Sequence, residues 1–253
     1  MIDVFGVSEM GCVRKNNEDC FYVDKQFGLY LLADGMGGHR YGEVAANIAV
    51  QTSHQFLIAS RDLFDITWPF GYDHLRSLDE NRLMNAVQLA NRRIWCAMKE
   101  RPEYAGMGST LIAVAADDNR AVIASVGDSR VYLLRDGDLK QLSVDDSWVG
   151  HMVRKGALTA QDAKNHSMRN VLIQAVGTHH DLNVHTLEQS LLHGDVLLLA
   201  TDGVYGEVDL SSIRSILYSY RDAQSTAERL IAAALDSGAP DNATCIVARY
   251  TGT

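Results

Sequence analysis

The sequence predicts an α+β domain in which sheets and helices form separate layers. Strand-like segments occur in neighbouring runs, at residues 2–8, 20–24 and 28–34 and again at 109–117, 120–127 and 129–143. Helix-like segments occur in pairs, one pair between these runs and one after a strand-like segment at 195–203. This grouping favours layered α+β packing over the regular strand–helix alternation of a parallel sheet.

The early strands are rich in β-branched and aromatic residues and are separated by polar turns. A helix is predicted from about residue 42 to 59, followed by a loop at 61–76. The next helix has the clearest pattern. Ser77 and Glu80 have the spacing of a capping box, and apolar residues recur at helical spacing from Leu83 to Met98. Pro102 ends it.

The second half of the chain begins with a hairpin, because strand-like residues closely flank Asp136-Gly137. Residues 145–170 then break the strand pattern. They are polar and helix-prone, which predicts an inserted, mobile surface element. After the buried strand at 195–203 two helices are predicted, the second ending near Gly238, and residues 243–250 form a final strand.

Composition limits the function classes. The chain has 253 residues, of which 47% are hydrophobic, so it can bury a sizeable core. Its net charge of −9 and pI near 5.4 argue against a general nucleic-acid or anionic-membrane binder, which needs a basic face. A local basic pocket for a phosphate is still compatible with that charge.

The cysteines and the N-terminus predict a cytoplasmic location. Cys12, Cys20, Cys96 and Cys245 are far apart and show no C-x-x-C spacing, so we interpret them as reduced thiols. The first residues lack the basic and apolar regions of a signal peptide. No apolar run reaches the roughly 18 residues that a membrane helix needs.

Acidic residues follow or precede several apolar strands. Asp34 and Asp202 end two of them, Asp128 follows a third, and Asp241 precedes the last. A single Asp-Gly pair is most often a turn, but the repetition predicts carboxylates that converge at one edge. Unpaired carboxylates repel, and a hard divalent cation such as Mg²⁺ or Mn²⁺ would neutralise them. Gly35 has no Cβ, so its carbonyl could approach such an ion.

A charged run near the N-terminus allows two interpretations. Arg14, Glu18 and Asp19 could be a solvated surface, which is the usual meaning of such a run. However, Glu18 and Asp19 precede a strand like the other acids, and Arg14 could hold a phosphate in a bidentate manner.

Six short motifs occur in one order along nearly the whole chain. Together they resemble the metal-dependent protein serine/threonine phosphatases of the 2C type, in their bacterial form. The motifs are R-K-N-N-E-D from Arg14, D-G-M-G-G-H from Asp34, G-M-G-S-T from Gly106, G-D-S-R from Gly127, T-D-G-V from Thr201 and P-D-N-A-T from Pro240.

The resemblance implies a single catalytic domain over residues 1–253, built as a four-layer α-β-β-α sandwich of two mainly antiparallel sheets flanked by helix pairs. It also implies two Mn²⁺ or Mg²⁺ ions bridged by a hydroxide at one edge of the sheets. Asp34 would bridge both ions, and the Gly35 carbonyl, Asp202 and Asp241 would complete the protein ligands.

Three further acids receive roles from the same resemblance. Glu18 would act mainly through water on an ion, and Asp19 would support the ligands. Asp128, together with Asp202, would form a weaker site for a third ion.

The implied reaction is a direct attack of the hydroxide on phosphorus, without a phosphoenzyme. Arg14 would orient the phosphoryl group and stabilise its charge. Met36 stands where many eukaryotic members have a proton-donating histidine. His39 could serve as the general acid, or a water could do so, or His39 could be a loop histidine bonded to backbone.

The segment from Ser147 to Arg169, within residues 145–170, corresponds to the flap that governs substrate access in the family. Asp145-Asp146-Ser147 lacks the histidine of the family's D-H-S, and residues 165–170 lack the proline of H-P-x-R-N. Trp148 and Met152 are interpreted as flap packing.

The predicted function is hydrolysis of phosphoserine and phosphothreonine in proteins, opposing a bacterial serine/threonine kinase. The main alternative is an inactive phosphatase fold kept as a binding or regulatory module. A two-metal phosphodiesterase or nuclease is disfavoured by the acidic composition. A phosphatase of the anti-sigma-antagonist branch is disfavoured by Arg14 and the Gly106 motif.

Overall fold

Two antiparallel β-sheets form the centre of the molecule. The structure, a computed structural model, describes residues 2–37, 41–61, 67–117 and 119–251. The first sheet has the order β1-β11-β10-β7-β8, and each neighbouring pair is antiparallel. Its strands are β1 (Ile2–Glu9), β7 (Arg130–Arg135), β8 (Asp138–Gln141), β10 (Val196–Ala200) and β11 (Ala243–Tyr250).

The second sheet has the order β2-β3-β5-β6-β9 and is also antiparallel. Its strands are β2 (Asp19–Asp24), β3 (Leu29–Met36), β5 (Leu111–Ala116), β6 (Arg120–Val126) and β9 (His185–Ser190), and the short β4 (Gly108–Ser109) pairs with the end of β3.

Helices cover the outer face of each sheet. The long helices are α1 (Gly42–Arg61), α2 (Leu78–Glu100), α6 (Leu210–Ser219) and α7 (Ala223–Asp236). The short helices are α3 (Trp148–Arg154), α4 (Ala160–Lys164) and α5 (Asp202–Tyr205), with a 3₁₀ turn at Pro102–Tyr104.

Three apolar clusters separate four layers. One lies between the second sheet and helices α1 and α2, and another lies between the first sheet and helices α6 and α7. The third lies between the two sheets. Strand β3 shows the arrangement: Leu31 faces the helices and Leu32 faces the other sheet, so both sides of the strand are buried. The predicted α+β sandwich is confirmed.

Local sequence signals account for several element boundaries. The Ser77 hydroxyl accepts the Glu80 amide, and the Glu80 carboxylate accepts the Ser77 amide, so the predicted capping box is formed. Asp136 and Gly137 both have positive φ, as a type I′ hairpin turn requires. Helix α7 ends at Asp236, and Gly238 follows with a φ of +105°.

Three elements were missing from the sequence prediction. Strand β9 is an edge strand that exposes much of its surface, so its sequence HTLEQS shows little apolar alternation. Strand β4 and helix α5 have two and four residues, too short for a periodic pattern. The segment 145–170, predicted to be helix-prone, contains α3 and α4.

His39, the candidate general acid, lies outside the described residues. Among the helices of the described part of the chain, none has the length and apolar character needed to cross a membrane.

Candidate active site

The ends of five strands bring acidic residues from both sheets together. Asp19 and Asp34 are directly paired partners on β2 and β3 of one sheet. Asp202 follows β10 and Asp241 precedes β11, which are neighbours in the other sheet. Asp128 lies in the turn between β6 and β7 and thus connects the sheets. The structure thus brings the four strand-end aspartates Asp34, Asp128, Asp202 and Asp241 together, as the sequence predicted.

Burial and mutual repulsion raise the pKa values of Asp19, Asp34, Asp128 and Asp202. The pKa of Asp34 lies well above its ordinary value, mainly through burial and then through Asp19, Asp202, Asp128 and Asp241. Burial, with repulsion from neighbouring aspartates, also raises the pKa of Asp19 and of Asp128 to about 7 and that of Asp202 to about 6. In the absence of a cation, this edge holds more negative charge than it can stabilise at neutral pH.

Asp19 is held by two threonines. The Thr201 and Thr244 hydroxyls both donate to its Oδ2, over 3.0 and 2.6 Å. Because these bonds join β2 of one sheet to the β10–β11 end of the other, Asp19 fixes the two sheets relative to each other beneath the acidic edge. This placement suits the supporting role expected from the sequence.

Gly35 lies where the backbone is too crowded for a side chain. A Cβ at Gly35 would collide with the Gly42 carbonyl and lie 2.6 Å from the Glu18 carbonyl oxygen. The Gly35 amide donates to that same Glu18 oxygen over 3.0 Å. In turn, the Glu18 amide donates to Asn242 Oδ1 over 2.8 Å. The glycine therefore lets the N-terminal segment pack against the start of helix α1.

Arg14 reaches the same edge. Its Nη2 donates to Asp241 Oδ2 over 2.6 Å, and its side chain is 49% exposed. That hydrogen bond, opposed by partial burial and reinforced by Asp241, Glu18 and Asp34, raises the pKa of Arg14. A permanently charged, half-exposed guanidinium beside buried carboxylates is placed to contact an anion arriving from solvent.

Asp128 is supported by residues that sequence reasoning missed. The Tyr205 hydroxyl donates to the Asp128 carbonyl over 2.8 Å. The Arg130 guanidinium lies 3.8 Å from the centre of the Tyr205 ring and pairs with Asp145 over 2.7 Å. Tyr205 follows Asp202 by three residues, and Arg130 belongs to the G-D-S-R motif. This closeness in sequence to the strand-end acids is the feature from which their place near the site could have been predicted.

Residues 145–170, the predicted flap, begin next to Asp128. The Asp146 amide donates to the Gly127 carbonyl over 2.8 Å, and the Gly127 amide donates to Asp146 Oδ2 over 3.1 Å. The other Asp146 oxygen pairs with His185 Nε2 over 2.8 Å. Because Gly127 directly precedes Asp128, these two hydrogen bonds attach the start of the predicted flap to the backbone beside this aspartate.

The predicted flap residues have structural contacts of their own. The Ser147 hydroxyl caps helix α3 by accepting the Gly150 amide over 3.1 Å. The Trp148 ring stacks on His166 with centroids 4.9 Å apart, which ties α3 to the segment after α4. Met152 is half-buried and Arg169 is exposed.

The donor set fits a hard divalent cation. Asp202 Oδ1 is buried and has no hydrogen-bond partner among the described residues, which is costly for a carboxylate. The candidate donors are all oxygens, as Mg²⁺ and Mn²⁺ prefer. No group of three or more His, Cys, Asp or Glu side chains in the described part of the chain is placed so that it could hold a metal ion. Mg²⁺ usually keeps several waters and takes only one or two carboxylates, so a sparse protein ligand set is compatible with it.

A separate cavity of about 310 Å³ lies between β6, β9 and residues 142–144. It is lined by residues that include Ser125, His185 and Arg76 and by none of the edge carboxylates.

The fold and the acidic edge agree with one family. Residues 14–239 match the family described as protein phosphatase 2C, so the chain belongs to it. The family recognised from the six motifs is therefore confirmed.

Relatives and a solved structure support the assignment. The chain is 39% identical over 241 residues to the serine/threonine protein phosphatase PstP of Mycobacterium tuberculosis, covering 95% of this chain but 43% of PstP, less than half its length. It is 34% identical to the serine/threonine phosphatase stp of Listeria innocua, covering 95% of this chain and 92% of the relative. A structure of the PstP catalytic domain with two manganese ions is 33% identical, covers 98% of this chain and 97% of that one, and has a TM-score of 0.83.

Proposed function

We propose that this chain is a metal-dependent phosphatase that hydrolyses phosphoserine and phosphothreonine in proteins. The observation that carries the proposal is the partly buried acidic edge, where Asp202 Oδ1 has no hydrogen-bond partner among the described residues and Arg14 stands at the rim. Relatives named as serine/threonine phosphatases and the manganese complex of one of them support it. The presence of Asp34, Asp128, Asp202 and Asp241 together weighs against the inactive alternative.

Two Mn²⁺ or Mg²⁺ ions would be held by Asp34, the Gly35 carbonyl, Asp202 and Asp241, with Glu18 acting through water. Asp128 and Asp202 would hold a weaker third ion. When bound, divalent cations in such a site lower the pKa of coordinated water and so supply a nucleophile at neutral pH.

The protein's own residues supply the rest of the chemistry. Arg14 binds the phosphoryl oxygens of the substrate, exchanging part of its contact with Asp241 for a charge-assisted bond to phosphate. Asp19, fixed by its two threonine hydroxyls, holds the end of β2 against the other sheet, and Asp34, its paired partner on β3, is held at the same edge. As the oxygen of the attacking water bonds to phosphorus, the bond from phosphorus to the serine or threonine oxygen breaks on the opposite side. The leaving oxygen takes a proton from water or from His39 and departs as the hydroxyl group.

The substrates would be phosphorylated proteins, with a cognate serine/threonine kinase as the opposing enzyme and the cytoplasm as the location. The net charge of −9 supports a reading without nucleic-acid or membrane binding. The family match over residues 14–239 supports one catalytic domain with the flap inserted at 145–170.

The experiment is phosphate release from a phosphothreonine peptide as Mn²⁺ is added and then removed with EDTA. Asp202→Asn is expected to lower kcat/KM by roughly a hundredfold or more, because it removes a ligand charge. Asp236→Asn, an exposed acid at the end of α7, is the matched control and should behave as the wild type. A folded wild-type protein that releases no phosphate at any Mn²⁺ concentration would overturn the proposal in favour of a binding module.

A further inference from the structure

Glu43 is a partly buried acid near the proposed cation site that no motif assigned. It stands in the first turn of helix α1, one residue after Gly42. Its Oε2 is buried and has no hydrogen-bond partner among the described residues. A carboxylate oxygen that has lost its water and gained no donor is costly, so its position favours a partner that the described part of the chain does not supply.

The start of helix α1 packs directly on residues of the site. A Cβ on Gly42 would lie 2.7 Å from Glu18 Oε2 and 2.9 Å from the Gly35 carbonyl carbon. The Glu18 carboxylate therefore lies against the backbone that carries Glu43, and both lie beside the Gly35 carbonyl. Of the acids that act on Glu18, Glu43 has the strongest effect: after burial, its charge is the largest cause of the raised pKa of Glu18.

Within the residues that the structure describes, Arg14 does not offset the charge of this pair, since the pKa of Glu18 stays raised by burial and by Glu43. Arg14 acts favourably on Glu18, but its guanidinium is already bonded to Asp241. The partial positive charge at the N-terminus of α1 favours an acid in the first turn. That dipole accounts for one carboxylate at this position, but it leaves the adjacent Glu18 and the unpartnered Glu43 oxygen unexplained.

We propose that Glu43 is a further residue of the divalent-cation site, acting with Glu18 on the side where helix α1 meets Gly35. This inference rests on the proposed function, because it needs a cation at the acidic edge. Glu43 is a positioning residue: together with Glu18 it would hold the water molecules around an ion bound by the Gly35 carbonyl. It thereby extends the site from the strand ends to the first turn of a helix.

The test is to measure the binding of Mn²⁺ to the metal-free protein. Two methods measure it: titration calorimetry and the electron paramagnetic resonance signal of free Mn²⁺. Glu43→Gln keeps the shape and removes the charge, and Glu43→Asp keeps the charge at the helix start but shortens its reach. Both are expected to weaken the binding of one ion by about tenfold, the usual cost of losing an outer partner of a metal site. Glu228→Gln, the same change on the outer helix α7, should bind Mn²⁺ as the wild type does.

Thermal unfolding with and without Mn²⁺ separates this role from a purely structural one. Weaker binding makes the Mn²⁺-induced rise in the unfolding midpoint smaller in both Glu43 variants than in the wild type. A helix-dipole role alone would instead lower the midpoint of Glu43→Gln equally in both conditions, spare Glu43→Asp and leave Mn²⁺ affinity unchanged. That result would overturn the inference while leaving the proposed function intact. A wild-type protein that binds no Mn²⁺ would overturn both.

Discussion

Replacing Asp128 by Asn is expected to stabilise the metal-free protein, and more so at higher pH. Burial, with repulsion from Asp202 and Asp145, raises the pKa of Asp128 to about 7 from an ordinary value of 3.8. The folded protein therefore binds a proton at this carboxyl group over a pH range in which the unfolded chain has already lost it. Its contribution to stability is present below about pH 4 and is lost as the pH rises through 7.

The magnitude follows from the pKa of about 7. Between pH 5.5 and pH 8 the folded protein loses this proton while the unfolded chain is ionised throughout. At about 1.4 kcal/mol per pH unit over the roughly 1.5 units below the folded pKa, Asp128 alone costs about 2 kcal/mol of unfolding free energy. Asn has nearly the same shape and does not titrate, so the variant should be spared this loss.

The assay is urea unfolding in EDTA at pH 5.5 and at pH 8, for the wild type and for Asp128→Asn. The wild type should lose about 2 kcal/mol more than the variant over this interval. Asp236→Asn, whose side chain is 76% exposed, should show the wild-type pH dependence. Equal losses in the wild type and Asp128→Asn would refute the reasoning, because the aspartate would then not be desolvated in the folded protein.

Three further outcomes are expected. Gly35→Ala should destabilise the protein by about 2–4 kcal/mol in urea unfolding, because the new Cβ collides with the Gly42 carbonyl. A change below about 1 kcal/mol, the scale of a surface substitution, would show that helix α1 moves aside easily. Ser77→Ala breaks the capping box and should cost about 1 kcal/mol, or roughly 2–4 °C in the thermal midpoint; an unchanged midpoint would show that the cap is dispensable. Arg14→Gln should lower kcat/KM for a phosphothreonine peptide by about a hundredfold, since it removes the charge that meets the phosphoryl group; normal kcat/KM would assign Arg14 only to holding Asp241.

The elements that the sequence predicted well are those whose signals are local. The capping box at Ser77 and the Asp136-Gly137 turn depend on a few adjacent residues, so the same chemistry is visible in the sequence and in the structure. Strand β3 was recognisable because burial on both faces requires an unbroken apolar run. Strand β9 lacks both kinds of signal, since pairing with β6 along one edge determines its structure.

The site shows the same division between local and distant signals. Asp34 and Asp202 could be predicted because an acid at the end of a buried strand is unusual in itself. The two threonines that bond Asp19 and the tyrosine that bonds the Asp128 carbonyl show no comparable pattern in the sequence around them. Their roles depend on which strands become neighbours across the two sheets, and this is a property of the fold rather than of any short segment.

The paired bonds between Asp146 and Gly127 have a consequence for how this protein can diversify. They anchor the flap at a point that is separate from helices α3 and α4, while Asp146 is held from the other side by His185. Substitutions in the exposed parts of those helices can therefore accumulate without displacing Asp128. Substitutions at Asp146 or His185 would instead disturb the backbone at Gly127 and so the position of Asp128. The exposed surface of this segment can thus change in sequence while the acidic edge beside it stays the same.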